Sequence, residues 1–248
     1  MTAKLPLSLR DLLPVPRYRV VPERIDHPEQ ESAADLRRIL HDLWLANRLG
    51  GGAVVVRHLK QLTRGWAPGR PLRMLDLATG MADIPLQVTR WATKRGLDVE
   101  FVATDVNSRI LDMAREYLRS SPRVRLEMQD ARRLTYPDQS FDVVTCSMAL
   151  HHFERPDALS VLREMSRLAR VGFIVSDVER CLGAWAAVNL AAHTPLVGRL
   201  TRHDGPASVA RAYTAHELLE LAQEAGIPSA RLHRHPLFRH ALVAGPKG

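Results

Sequence analysis

The sequence is poor in cysteine and lysine, and each shortage closes off a class of protein. Two cysteines in 248 residues, Cys146 and Cys181, cannot build a disulfide scaffold. Both sit among apolar neighbours, as small core thiols of a reducing compartment do. No C-x-x-C or H-E-x-x-H pair occurs, so no metal site is expected. Lysine appears only at 4, 60, 94 and 247, and no run of five basic residues exists. The net charge of +8 is therefore scattered arginine, which reads as solvated surface rather than a nucleic-acid tract. Residues 1–21 lack the apolar core of a secretory signal, so an irregular leader on a cytoplasmic protein is expected. The most apolar stretch, 181–200, is broken by Asn189, His193 and Pro195. It is expected to cover the core or a pocket, with no integral membrane contact.

What is present is ample core material, with 46% hydrophobic residues and an ordinary 25% charged, enough for one large α/β domain or two small ones. Leu36, Ile39, Leu40, Leu43 and Trp44 give 33–47 a helical face. Gly50, Gly51 and Gly52 are expected to end that helix, and a second one is expected at 53–63. From residue 72 short apolar runs alternate with amphipathic segments. Strands are expected at 72–77, 99–104, 124–128, 141–146 and 171–176, with helices at 84–95, 108–118 and 156–169 between them. This alternation predicts βαβ units and a parallel sheet. Residues 178–213 are too long for a simple crossover. Thr214-Ala215-His216-Glu217 reads as a capping box opening a helix to Ala225, before final strands at 231–235 and 238–244. Two regions are expected: a leader and helical cap over 1–70, and a ligand-binding domain over 71–248 with a lid insertion at 178–213.

Ligands of open α/β sheets bind outside the carboxyl ends of the strands, so the residues just after each strand carry the information. Asp76-Leu77-Ala78-Thr79-Gly80-Met81-Ala82-Asp83 follows the first strand. It is a turn of small residues that lets backbone N–H groups approach a ligand, with Asp83 as a helix cap. A dinucleotide fingerprint would bring three glycines and an apolar strand end. Here Asp76 stands at the strand end and Gly80 is the one glycine, which suits a cationic amino-acid ligand better than a pyrophosphate.

The segment resembles motif I of class I S-adenosylmethionine-dependent methyltransferases, closest to the ubiquinone/menaquinone-biosynthesis type, over about 72–176. The resemblance implies a Rossmann-like sandwich with a mostly parallel seven-stranded sheet and helices on both faces, and S-adenosyl-L-methionine as cofactor. It implies cofactor contacts at Asp76, Ala78, Thr79, Gly80 and Met81. Asp105 and Val106, after the second strand, would take the ribose. Asp130 and Ala131, after the third, would take the adenine. Ser147, after the fourth, would face the cofactor. Two family glycines are alanine here, Ala78 and Ala82, and either would be strained by a positive φ.

The expected activity is methyl transfer to oxygen or carbon of a small aromatic, quinol or polyketide-like molecule. An RNA methyltransferase or another Rossmann-like nucleotide-binding protein is the alternative. Base methyltransferases place N/D-P-P-Y/F after the fourth strand, where this chain has Ser147-Met148-Ala149-Leu150. The acceptor would lie under the cap and the 178–213 insertion. His152, Arg202, His203, Arg211 and Tyr213 are the candidate acceptor contacts. His151, after the fourth strand, and Asp177, after the fifth, would meet above the sheet edge as an acid–base pair.

Overall fold

Alternation along each strand builds a core on two faces at once. In β1 (Leu72–Leu77), Leu72 and Met74 join one apolar cluster while Leu75 and Leu77 join the other. A strand covered on both sides is apolar on both sides, as a central parallel strand must be. The computed structural model describes residues 10, 15, 23–67, 69–119, 121 and 123–245. The expected leader over 1–21 thus lies outside the described residues, apart from Arg10 and Val15.

The other strands are β2 (Val99–Asp105), β3 (Val124–Met128), β4 (Phe141–Ser147), β5 (Ala169–Val178), β6 (Arg231–His235) and β7 (Arg239–Ala244). Their order in the sheet is β3-β2-β1-β4-β5-β7-β6. Strands β1 to β5 pair in parallel, and β7 lies antiparallel between β5 and β6. The order reverses at β1, whose neighbours are β2 and β4. That switch point opens a crevice at the carboxyl ends of these strands.

The helices are α1 (Ala33–Ala46), α2 (Gly52–Leu62), α3 (Asp83–Thr93), α4 (Ser108–Tyr117), α5 (Arg155–Leu168), α6 (Leu182–Ala192), α7 (Arg199–Arg211) and α8 (Ala215–Glu224). Leu162 and Met165 of α5 pack one face of the sheet with Leu218 and Leu221 of α8. Val55 and Leu59 of α2 pack the other with Leu86 and Val88 of α3. The predicted strands and the α8 capping box appear where the sequence places them, to within a few residues.

Three local expectations are corrected. The three glycines do not end the first helix. A π-helical turn, Asn47–Gly51, carries the chain straight into α2. These glycines serve close packing: a Cβ on Gly52 would stand 2.1 Å from Gln87 Oε1 of α3, and one on Gly51 would stand 2.5 Å from Asn47 Oδ1. Asp83 does not cap α3. Ala82 occupies that position in the left-handed region, and Asp83 is the first helical residue. Finally, α6 covers little: Leu182, Trp185 and Leu190 are exposed, while only Ala184 and Ala192 of this helix are buried. Among the described residues no helix is long and apolar enough to cross a membrane.

Strand β5 carries Asp177 to the sheet edge, and its start depends on Gly172. A Cβ at that position would lie 2.2 Å from the Ala244 carbonyl oxygen of β7. Gly172→Ala is expected to destabilise the fold by about 1–3 kcal/mol, as overpacking does. A urea midpoint equal to that of the parent chain would show that the β5–β7 pair relaxes freely.

Candidate active site

At the switch point the turn after β1 folds back over β2. Its Thr79 N–H donates to the Thr104 carbonyl (2.8 Å), and its Gly80 N–H donates to Asp105 Oδ2 (3.1 Å). Beneath it, Asp76 accepts from Thr79 Oγ1 (2.6 Å) and Thr145 Oγ1 (2.5 Å). Burial pushes the Asp76 carboxyl up to about 7, against these two hydroxyl bonds. The turn contains three residues with positive φ: Ala78 (48°), Gly80 (55°) and Ala82 (56°). Both alanines thus adopt the left-handed conformation at which glycine would be relaxed, at about 1–2 kcal/mol each.

A cavity of about 340 Å³ lies against this turn. Ala78, Thr79, Gly80, Met81, Asp83, Asp105 and Val106 form one side, and Ser147, Met148, His152 and Phe153 continue it. Ile25, Asp26, Leu40, Leu43 and Asn47 close it from the N-terminal segments. Asp105 also accepts from the Asn107 N–H through Oδ1 (3.0 Å), while Asn107 rather than Asp105 caps α4. Burial holds the Asp105 carboxyl above its usual range, in spite of bonds from Asn107, Gly80 and Val106. Asp83 is buried against two amides, Asn47 Nδ2 (3.5 Å) and Gln87 Nε2 (3.3 Å). Desolvation, opposed by the Asn47 bond, pushes it up to about 6.

These residues meet the demands of a nucleoside joined to an amino acid. Gly80 leaves open space where a Cβ would stand, with only Leu40 Cδ2 at 3.9 Å. Asp105 keeps lone pairs for a ribose. The Ser147 hydroxyl is buried without a partner among the described residues. Asp83 brings a second carboxylate to the cavity wall. Asp76, expected to contact the cofactor, braces the turn from below by accepting from two threonine hydroxyls and does not line the cavity, whereas Asp83 does.

Several other expected contacts stand outside this cavity lining. Asp130 and Ala131 do not line the cavity. Asp130 is gripped by Arg132, with Nη2 at 2.7 Å, and it is Arg132 that reaches the wall. Among the acceptor candidates, His152 lines the cavity and Arg202, His203, Arg211 and Tyr213 do not. Arg202 donates to the Thr194 carbonyl (3.3 Å), and His203 pairs with Asp204 (2.7 Å). Tyr213 donates to the Phe153 carbonyl (2.8 Å). Arg211 donates to Asp26 (2.8 Å) and to the His152 carbonyl (2.9 Å).

His151 and Asp177 do meet. His151 Nδ1 lies 2.7 Å from Asp177 Oδ1, and the His151 N–H donates to Oδ2 (3.1 Å). Burial opposes the Asp177 charge, yet His151 holds its carboxyl below the usual range. The pair lies behind the cavity wall: His151 is 2% exposed, and its Nε2 lies 3.8 Å from Glu23 Oε1. His152 Nδ1 bonds Asp26 (2.7 Å). Burial lowers the His152 pKa, but Glu23 and Asp26 outweigh it and push it up to about 9.

Glu23 and Asp26 escaped the sequence reading. They belong to a turn, Arg24–Asp26, too short to show any periodicity. Helix α7 holds the turn in place: Asp204 accepts from the Arg24 and Ile25 N–H groups, and Ser208 donates to Glu23. Asn47, Asn107, Ile110 and Asp157 are further wall residues with no local signal.

This sheet order, glycine turn and carboxylate after β2 are the arrangement of class I S-adenosylmethionine-dependent methyltransferases. Residues 74–172 match the family model described as a methyltransferase domain. The chain resembles the ubiquinone/menaquinone-biosynthesis type of methyltransferase. It is 38% identical over 103 residues to the demethylmenaquinone methyltransferase of Deinococcus radiodurans, a match covering 41% of this chain and 40% of that protein. The matched stretch thus spans well under two thirds of that relative. A Thermotoga maritima demethylmenaquinone methyltransferase is 28% identical, over 81% of this chain and 88% of that protein. The fold is also that of magnesium protoporphyrin IX methyltransferase from Synechocystis PCC 6803, solved with bound SAH (TM-score 0.54, 17% identity, covering 86% of each chain).

Two measurements test the cradle. Asp105→Ala is expected to weaken binding of S-adenosylhomocysteine by about 1.5–3 kcal/mol, measured by calorimetry. Unchanged affinity would remove Asp105 from the ribose. An ammonium favours ionised Asp83, whose pKa is raised. Affinity should therefore be full above pH 6 and should decline as pH falls through about 6. Asp83→Asn should flatten that profile, and an identical profile in the variant would assign the decline to another group.

Proposed function

We propose that the chain transfers the methyl group of S-adenosylmethionine to oxygen or carbon of a small aromatic, quinol or polyketide-like molecule in the cytoplasm. The observation that carries this reading is that one cavity joins the cofactor cradle to an apolar wall. Gly80 and Asp105 stand at one end, and Ile25, Leu43, Met148 and Phe153 supply apolar surface beside them. Two relatives named as demethylmenaquinone methyltransferases support a quinol among the possible acceptors. The cofactor supplies a methyl group on a sulfonium, with a neutral thioether as leaving group. The protein's tasks are positioning, water exclusion and acceptance of the acceptor's proton.

Asp177 fixes the His151 tautomer with the proton on Nδ1, leaving the Nε2 lone pair toward Glu23. In this reading His151 and Asp177 form the acid–base element, and His152 lines the acceptor's compartment. Residues 178–213 act as a lid indirectly, because α7 holds the Arg24–Asp26 turn that forms the wall.

The test is a methyl-transfer screen over phenols, quinols and polyketide-like aromatics, with mass spectrometry locating the methyl. With a turned-over acceptor, His151→Ala and Asp177→Asn are each expected to lower kcat about 10²-fold at unchanged cofactor affinity. Near-normal turnover in both variants would leave positioning alone as the mechanism.

A further inference from the structure

Behind the cavity wall, three donors from distant parts of the chain converge. One atom each from Glu23, His151 and His152 lie within 4.8 Å of one another. Glu23 Oε1 stands 3.8 Å from His151 Nε2 and 3.8 Å from His152 Nδ1. Glu23 is 2% exposed, and its Oε1 has no hydrogen-bond partner among the described residues. A buried carboxylate oxygen without a donor carries its full desolvation penalty. The other carboxylate oxygen is occupied by the Ser208 hydroxyl, which aims Oε1 at the two rings.

The surroundings are those of a metal centre. Histidine ligands characteristically give their second nitrogen to a carboxylate, which fixes the ring and raises its basicity. His151 has such a partner, with Asp177 on its Nδ1 at 2.7 Å, whereas Asp26 holds at 2.7 Å the same His152 nitrogen that faces Glu23 and so stands beside the site as a further oxygen donor. With His152 protonated, three carboxylates (Glu23, Asp26, Asp177) face that imidazolium and one guanidinium, Arg211, at 3.9 Å from Glu23 Oε1 and 2.8 Å from Asp26: −3 against +2, a surplus of one negative charge, and a metal cation taking the His152 nitrogen would displace its proton. Tetrahedral nitrogen and oxygen ligands at 2.0–2.2 Å from a metal stand about 3.4 Å apart. The 3.8 Å separations would need to close by only about half an ångström.

We propose that Glu23, His151 and His152 form a site for a first-row divalent cation such as Zn²⁺ or Fe²⁺, reached from the acceptor cavity past His152. Two imidazoles and one carboxylate are the ligand set such cations prefer, and they leave further coordination positions open. An acceptor hydroxyl entering one of these positions would lose its proton to solvent and present an oxyanion to the methyl group. The C–S bond then breaks as the new bond to the acceptor forms. The acceptor's part in this rests on the function proposed above. In the metal-loaded protein His151 is a ligand, and its Nε2 lone pair holds the cation instead of the proton.

The test uses full-length protein freed of metal by chelation. Titration with Co²⁺, followed by calorimetry and visible absorption, should show one equivalent bound at micromolar affinity or better. Glu23→Gln and His152→Gln should each weaken Co²⁺ by about tenfold or more. Retained melting temperature and S-adenosylhomocysteine affinity establish that these variants fold. Absence of stoichiometric Co²⁺ binding, or equal binding in both folded variants, overturns the site. If Co²⁺ binds as described while no acceptor is methylated, the site stands and the proposed activity fails. If an acceptor is methylated at full rate in chelator and Co²⁺ does not bind, the activity stands and the site is overturned.

Discussion

A buried carboxylate with no cation bonded to it, Asp76, anchors the whole functional edge. Its two oxygens accept hydroxyl protons from Thr79, on the turn above it, and Thr145, on the neighbouring strand β4. One side chain therefore ties β1, β4 and the cofactor turn together. The position is electrostatically unfavourable, since burial raises the pKa of the carboxyl to about 7. The two hydroxyls compensate for part of that desolvation. Without this brace the turn would lose its depth, and Gly80 would not be held within reach of Asp105.

Strain gathers around the same edge. Ala78 and Ala82 in the first turn, and Met148 after β4, all have positive φ. Non-glycine residues hold such conformations only where the surrounding structure determines them, and they concentrate at binding sites. Here the determinants are visible. The Thr79 N–H and the Gly80 N–H are both fixed on β2, and the Met148 N–H donates to the Ser176 carbonyl of β5 (2.8 Å). The backbone is bent at the ends of β1 and β4 so that both strands turn a wall toward one cavity.

The other side of that cavity comes in part from α1 and in part from chain that has almost no structure of its own. The Arg24–Asp26 turn buries none of its three residues. It is placed by α7, through Asp204, Ser208 and Arg211, and it brings Glu23 and Asp26 to the two histidines after β4. The same contacts explain why Arg202 and His203, legible as polar residues near an acceptor, do not line the cavity. They satisfy partners within their own segment, Thr194 and Asp204.

The sheet, its two faces of helices and the cofactor edge were readable from the chain itself. Period-two and helical alternation are local properties, and a strand followed by a tight turn writes its ligand-facing residues next to one another. So Gly80, Asp105 and Ser147 could be placed from sequence, as could the meeting of His151 with Asp177 once β4 and β5 were taken as neighbours. Tertiary structure alone decided which acid faces the cavity. Asp76 and Asp83 are seven residues apart with the same side chain, and only the position of Thr145 on another strand turns the first one inward. It also decided that Gly51 and Gly52 continue a helix rather than end it, because the reason is the side chain of Gln87 across the packing interface. Last, it decided the place of Glu23. A residue 128 positions before His151 in the chain carries no periodic or local mark of that neighbour, and packing against α7 alone brings them within 3.8 Å.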